Sequence, residues 1–172
     1  MKIAIISDTH DNVLHVEKFL TWANANQIEA IIHCGDIVRS DTIHLLLNNF
    51  KGLIKVVFGN AELDKEEMLK LPAKYLNLEI HSKEGEWVVD NWRLYFTHEP
   101  DQVNSLALSK KYDFIFYGHT HRPWISEKAG VWLINPGTLD GPLEHTSFAV
   151  WDSQTGKAEL KVLDQIVEKA QD

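Results

Sequence analysis

Lys2–His10 reads KIAIISDTH, an isoleucine-rich apolar run that ends abruptly in two metal-type side chains, Asp8 and His10. A short continuous run of this kind suits a strand buried on both faces. The pattern then returns four times. AIIHCGD (Ala30–Asp36) ends in Asp36 and LIKVVFGN (Leu53–Asn60) ends in Asn60. RLYFTH (Arg93–His98) ends in His98, and FIFYGHTH (Phe114–His121) ends in His119 and His121.

The segments between these runs set the layer order. Val13–Ala25 carries Val13, Val16, Phe19, Leu20 and Ala23 at helical spacing, and Thr42–Phe50 and Val103–Lys111 also read as helices. A short helix is expected around Lys65–Leu69, and Glu86–Asp90 with Trp92–Thr97 forms a hairpin turning at Asp90-Asn91. Beyond Tyr117 the helical patterns stop. Pro123–Glu127, Val131–Asn135, Ser147–Asp152 and Lys157–Leu163 read as strands joined by Gly-containing turns, and 164–172 as a short helix or frayed tail. The expectation is a single α/β domain over 1–172, with two packed mixed β-sheets flanked by helices.

Loops at the carboxyl ends of strands in an open α/β sheet converge on one crevice. Asp8, His10, Asp36, Asn60, His98, His119 and His121 would therefore meet in space although they are far apart in the chain. Four imidazoles, two carboxylates and one amide oxygen suit manganese, zinc, iron or cobalt better than magnesium or calcium, which prefer all-oxygen shells. Seven donors exceed one tetrahedral ion and fit two ions sharing a carboxylate. Two divalent cations with Asp8 and Asp36 would keep about +2, enough to attract phosphate and acidify water. Any one of these residues alone could be an ordinary turn residue; their joint placement at strand ends carries the argument.

The blocks SDTH, HCGD, FGN, THE and YGHTH resemble the successive signatures of the calcineurin-like metallophosphoesterases. The resemblance runs from residue 7 to about 138 and is nearest to the small single-domain bacterial and archaeal phosphodiesterases, which carry a segment like Asn135-Pro136-Gly137-Thr138. It implies a four-layer α/β/β/α sandwich hydrolysing a phosphodiester, or a phosphomonoester, by attack of a water in line with the leaving group. Asp8, His10 and His121 would hold one metal, Asn60, His98 and His119 the other, and Asp36 would bridge them. Asp36, Asn60 and His98 are the catalytic expectations, and Asn12 and Arg39 the substrate-binding ones. The implied cofactors are two divalent transition-metal ions, manganese first, with zinc, iron, nickel or cobalt as alternatives.

The sequence departs from that pattern in four places. Asp11 stands where glycine is common, Arg39 where an Asp often stands, Ala61 where larger relatives carry a His, and Leu143 where small relatives often carry an Arg. Arg39 and His145 are the candidates to replace that last phosphate contact.

The remaining residues have plainer readings. His15 and His44 are expected on helix surfaces, His81 is expected to be exposed, and Cys34 is expected to be a small buried residue. His33 is either a satisfied core group or a support for the site, and Glu62 and Asp64 are either acids behind the metal ligands or solvated loop residues. Trp87, Trp92 and Trp124 could form an oligomer patch. The formal net charge of −8 argues against stable nucleic-acid binding and hence against a nuclease. A scaffold that has lost catalysis would be expected to lack metal ligands, and here the set is complete. The N-terminal apolar run is too short for a signal peptide and no apolar stretch reaches the ~20 residues of a membrane span, so a cytoplasmic location is expected.

Overall fold

The computed structural model describes residues 1–142 and 145–168. The first sheet contains β1 (Lys2–Ile6), β2 (Ala30–His33), β3 (Leu53–Val57), β4 (Leu78–His81), β10 (Ser147–Asp152) and β11 (Lys157–Val162). Its order is β11-β10-β1-β2-β3-β4, parallel from β1 to β4 and antiparallel at β10 and β11. The second sheet contains β5 (Glu84–Val89), β6 (Trp92–Thr97), β7 (Phe114–Phe116), β8 (Trp124–Lys128) and β9 (Val131–Asn135). Its order is β5-β6-β7-β9-β8, with the central strands parallel and both edges antiparallel. The helices are α1 (Val13–Ala25), α2 (Ser40–Asn49), α3 (Lys65–Met68), α4 (Val103–Ser109) and α5 (Leu163–Glu168).

Alternation along the strands explains the layers. On β1, Ile3 and Ile5 join Ile32, Val57, Phe96, Phe114, Phe116 and Trp151 in a core between the two sheets. Ala4 and Ile6 face the other way and pack with Val16, Phe19, Ile43 and Leu46 of α1 and α2. Tyr95, Ile115 and Leu133 of the second sheet meet Val103 and Ala107 of α4 in a third core. Central strands clad on both faces must be apolar throughout, which is why they read as runs rather than as alternating patterns. The expected α/β/β/α order is the observed one.

Several details differ from the sequence reading. Leu78–His81 is a strand, the short parallel edge of the first sheet. The hairpin begins at Glu84, and α2 begins at Ser40 because Asp64 accepts its backbone N–H and its hydroxyl. Val162 ends β11, and buried Leu163 opens α5. The turn at Ala129-Gly130 has positive φ at both central residues, as a type I′ hairpin requires.

His15 is buried, not on the surface. Its Nδ1 lies 3.0 Å from the Leu139 carbonyl, which anchors α1 to the loop after β9. His44 is half-buried with its ring against Tyr75, and His81 is half-buried edge-on to Phe96. Trp87 and Trp92 are also half-buried. Trp87 lies under the Lys55 ammonium, and Trp92 donates to the Ser153 carbonyl, so only Trp124 of that trio is exposed as a patch would need. Leu143 lies outside the described residues. Among the described residues no helix is long and apolar enough to cross a membrane.

Candidate metal centre

All seven strand-end residues converge at one edge of the sandwich, where the carboxyl ends of β1, β2 and β3 face those of β6 and β7. Backbone bonds tie the loops together. Asp8 N–H donates to the Gly35 carbonyl (2.9 Å), His10 N–H to the Asp36 carbonyl (3.1 Å), and Gly118 N–H to the His98 carbonyl (3.1 Å). Three glycines allow this approach. A Cβ on Gly118 would lie 2.0 Å from Ser7 Oγ, and one on Gly59 would lie 2.2 Å from Asp36 Oδ1. Gly35, at φ +95°, would meet the His98 ring at 2.7 Å.

The ligand loops are also strained. Asp8, His10, Asp36, His119 and His121 all hold positive φ, between 41° and 69°. Non-glycine residues in this region cost about 1–3 kcal/mol each and persist where surrounding bonds over-determine them.

Asp36 is buried at the centre. Its Oδ1 accepts from the backbone N–H groups of Asn60 (2.8 Å) and Ala61 (2.9 Å). Its Oδ2 lies 3.4 Å from His98 Nε2 and 3.8 Å from His10 Nε2, so one carboxylate faces both halves of the cluster. In the first half, His121 Nε2 lies 3.1 Å from Asp8 Oδ1, and the His10 and His121 ring centroids are 5.3 Å apart. In the second half, Asn60 Oδ1 lies 3.1 Å from His98 Nε2 and 3.2 Å from His119 Nδ1.

These contacts test whether cations fit. His98 Nδ1 sits 2.8 Å from the Cys34 carbonyl, which fixes its proton there and leaves Nε2 with a lone pair. That lone pair faces the Asn60 oxygen and, at 3.2 Å, His119 Nδ1, an arrangement of acceptors that a cation would resolve. Asp8 Oδ1 and His10 Nε2 are buried without a hydrogen bond; the His121 nitrogen is close to Asp8 Oδ1 but not aligned as a donor. Buried acceptors rarely stay unpartnered. The donor set therefore fits divalent cations in both halves. Burial pushes the Asp8 carboxyl above its ordinary pKa, against the pull of the Ser7 hydroxyl, His98 and His121, while the Asp36 charge adds to the rise.

A supporting layer holds these side chains. Glu62 is buried and accepts from Ile37 N–H (3.2 Å) and Gly59 N–H (2.9 Å), bracing the loops that carry Asp36 and Asn60. Asp64 instead anchors α2. His33 Nδ1 accepts from Gly35 N–H, and its Nε2 meets Thr9 Oγ1 at 3.1 Å. Full burial, with His98 and His10 nearby, lowers its pKa to about 3. Cys34 is fully buried, and burial raises its thiol well above its usual value, with Asp8 adding to the rise.

Two supports went unassigned in the sequence. Asn135 donates to the Gly118 carbonyl (2.8 Å) and Thr120 Oγ1 (3.1 Å), and Thr138 donates to the Asp8 carbonyl (2.8 Å). The Asn-Pro-Gly-Thr segment therefore clamps the two loops bearing Asp8 and His119. Of the substrate-binding expectations, Asn12 has its carbonyl oxygen on His15 N–H as the cap of α1, and its amide nitrogen reaches Asp140. Arg39 is exposed at the rim, 3.9 Å from Asp11. His145 is exposed.

Two sheets with an Asp/Asn/His donor cluster at their shared strand ends define a metal-site α/β/β/α sandwich. The chain belongs to the calcineurin-like phosphoesterase superfamily, whose domain matches residues 1–156. It is 35% identical over 146 residues to the phosphodiesterase MJ0936 of Methanocaldococcus jannaschii, covering 83% of this chain and 87% of that protein. It is 23% identical over 158 residues to the phosphodiesterase YfcE of Escherichia coli, covering 83% and 81%. The solved structure of an archaeal phosphodiesterase superposes with a TM-score of 0.86 at 28% identity, covering 94% of this chain and 99% of that one.

Proposed function

We propose that the protein is a phosphodiesterase whose seven strand-end side chains hold two divalent transition-metal ions. Asp8, His10 and His121 would hold one ion, Asn60, His98 and His119 the other, with Asp36 shared. The observation that carries this reading is the pair of buried polar atoms left without a hydrogen bond, Asp8 Oδ1 and His10 Nε2, beside His98 Nε2 turned onto Asn60 Oδ1 at 3.1 Å. Bound cations would supply Lewis acidity, polarising the phosphoryl oxygens and making water nucleophilic near neutral pH.

The chain's own groups do the positioning. Asp36 Oδ1, held by two backbone N–H groups, keeps its other oxygen turned to both halves. The Cys34 carbonyl keeps the His98 proton on Nδ1. Arg39, exposed on the loop after Asp36, is the proposed contact for a phosphate oxygen. Ala61 offers no proton, which favours ester groups that leave with little protonation. The mixed N/O donor set favours manganese, with zinc, iron, nickel and cobalt as alternatives.

The test is to strip the protein with a chelator and restore manganese, zinc, nickel or magnesium one at a time against an aryl phosphodiester and an aryl phosphomonoester. Diester hydrolysis returning with a transition metal, at a stoichiometry of two, is expected. No hydrolysis with any ion would overturn the assignment and favour a non-catalytic scaffold.

A further inference from the structure

Glu99 follows His98 directly and is absent from the seven-residue set. Its side chain is half exposed, and its Oε2 lies 4.0 Å from His119 Nδ1, the nitrogen that faces Asn60 and His98. Ligand atoms of His98, Glu99 and His119 all lie within 4.8 Å of one another. Among the described residues no donor hydrogen-bonds to Glu99, which leaves its carboxylate free to turn to an ion. A cleft of about 330 Å³ opens beside it, walled by Phe58, Lys65, Lys83, Thr97, His98 and Glu99. That volume is at the lower end of the roughly 300–1,000 Å³ of small-ligand pockets.

We propose that Glu99 is an additional carboxylate donor to the Asn60–His98–His119 half of the site and that it selects phosphodiesters over phosphomonoesters. The inference rests on the two-cation reading above. The charges decide the selection. Two divalent cations bring +4, Asp8 and Asp36 bring −2, and Glu99 brings −1, leaving +1 instead of +2. A diester, with one negative charge, neutralises that remainder. A monoester carries about −1.5 to −2 near neutral pH and places its extra charge against the Glu99 carboxylate. The diester's second organic group enters the adjacent cleft. A further oxygen donor also moves this half away from the four-coordinate shell zinc favours and towards manganese.

The discriminating variant is Glu99→Gln, which keeps shape and hydrogen-bonding capacity and removes the charge; Glu127→Gln, on the exposed β8 edge, controls for net charge. Titration calorimetry of metal-free protein with manganese should show two binding events in the wild type. In E99Q one event should weaken about tenfold and the other stay put, and the diester-to-monoester ratio of kcat/KM should fall about tenfold. Either quantity unchanged in E99Q, or an equal change in E127Q, overturns the role of Glu99. A wild type that takes up no manganese overturns the underlying two-cation reading instead, so the two failures are distinguishable.

Discussion

The two halves of the candidate metal centre are built differently. Asp8 is fully buried, and Asp8, His10 and His121 all sit at positive φ on loops stapled to their neighbours. In the other half His98 is buried, Asn60 is exposed and His119 is as exposed as His121 of the first half, and of the three only His119 holds positive φ. The first half leaves two buried acceptors unpartnered, whereas the second lets its donors touch one another. A half that stores strain and orphaned acceptors is rigid before any ion arrives and gains most from one. A half whose candidate donors touch one another on less strained backbone must rearrange slightly to admit an ion, and can exchange it more easily. The first half is therefore expected to bind tightly and the second weakly.

The largest effect should come from erasing the group the halves share. Asp36→Asn keeps an oxygen for the Asn60 and Ala61 N–H groups but loses the charge that faces both. Turnover should fall about 10³-fold or more, with bound metal dropping well below two ions per chain by elemental analysis. Loss of only one ion with turnover largely kept would show that Asp36 belongs to a single half.

Gly118→Ala should strike the first half most directly, through Ser7 and Asp8, although Gly118 N–H also holds the His98 carbonyl. Its Cβ would be driven into Ser7 Oγ and to 2.9 Å from Asp8 Oδ2 and from the Cys34 carbonyl, whereas a Cβ on Gly130 meets nothing within 4 Å. Crowding of this kind typically costs about 1–3 kcal/mol. Urea denaturation of the metal-free protein should show that loss, and the tighter of the two manganese binding events should weaken. An unaltered tight event would mean that the rigid half is not the one Gly118 supports.

A smaller effect concerns pH. His33 is held neutral, with its pKa lowered to about 3 against an ordinary 6.5. Below pH 6.5 the unfolded chain binds a proton that the folded one refuses. The contribution of His33 is therefore whole above that value and is lost as pH falls towards 3, by a few kcal/mol at most. Asp8 acts in the opposite sense: its raised pKa in the folded state gives stability that is present at low pH and lost as pH rises through that pKa. In metal-free protein His33→Asn should flatten the decline in stability between pH 6.5 and 3, measured by urea unfolding at each pH. Parallel curves for variant and wild type would show that His33 does not refuse its proton.

The legible parts of the molecule were those in which one strand carries its own signal. KIAIIS, AIIHC, LIKVVF and FIFY are apolar along their length because helices and a second sheet cover both faces, and a candidate donor follows each such run directly or across one glycine. What stayed hidden depends on partners distant in sequence. His15 looks like a surface helix residue until the Leu139 carbonyl, 124 residues on, is placed against it. Glu62 and Asp64 look alike in a polar loop, yet one braces the N–H groups of Ile37 and Gly59 and the other those of α2. The edge strand Leu78–His81 pairs on one side only, and its four residues are too few for alternation to stand out.

The smallest expected effect lies at the rim. Arg39 is 62% exposed on its side chain and 3.9 Å from Asp11, an arrangement whose stability contribution is typically within about 1 kcal/mol. Removing it should leave the urea midpoint nearly unmoved. Its guanidinium stands on the loop that follows Asp36, where we expect a phosphate oxygen to project beyond the buried side chains. Arg39→Ala should therefore raise KM for an aryl diester about threefold to tenfold with kcat little changed, because a contact made equally in ground and transition states alters binding alone. Since Arg39 stands on the loop after Asp36 and Glu99 beside His119 of the second half, the two variants should combine additively. Strong non-additivity would mean that both side chains touch the same substrate oxygen, which would narrow the distance between the two halves of the site.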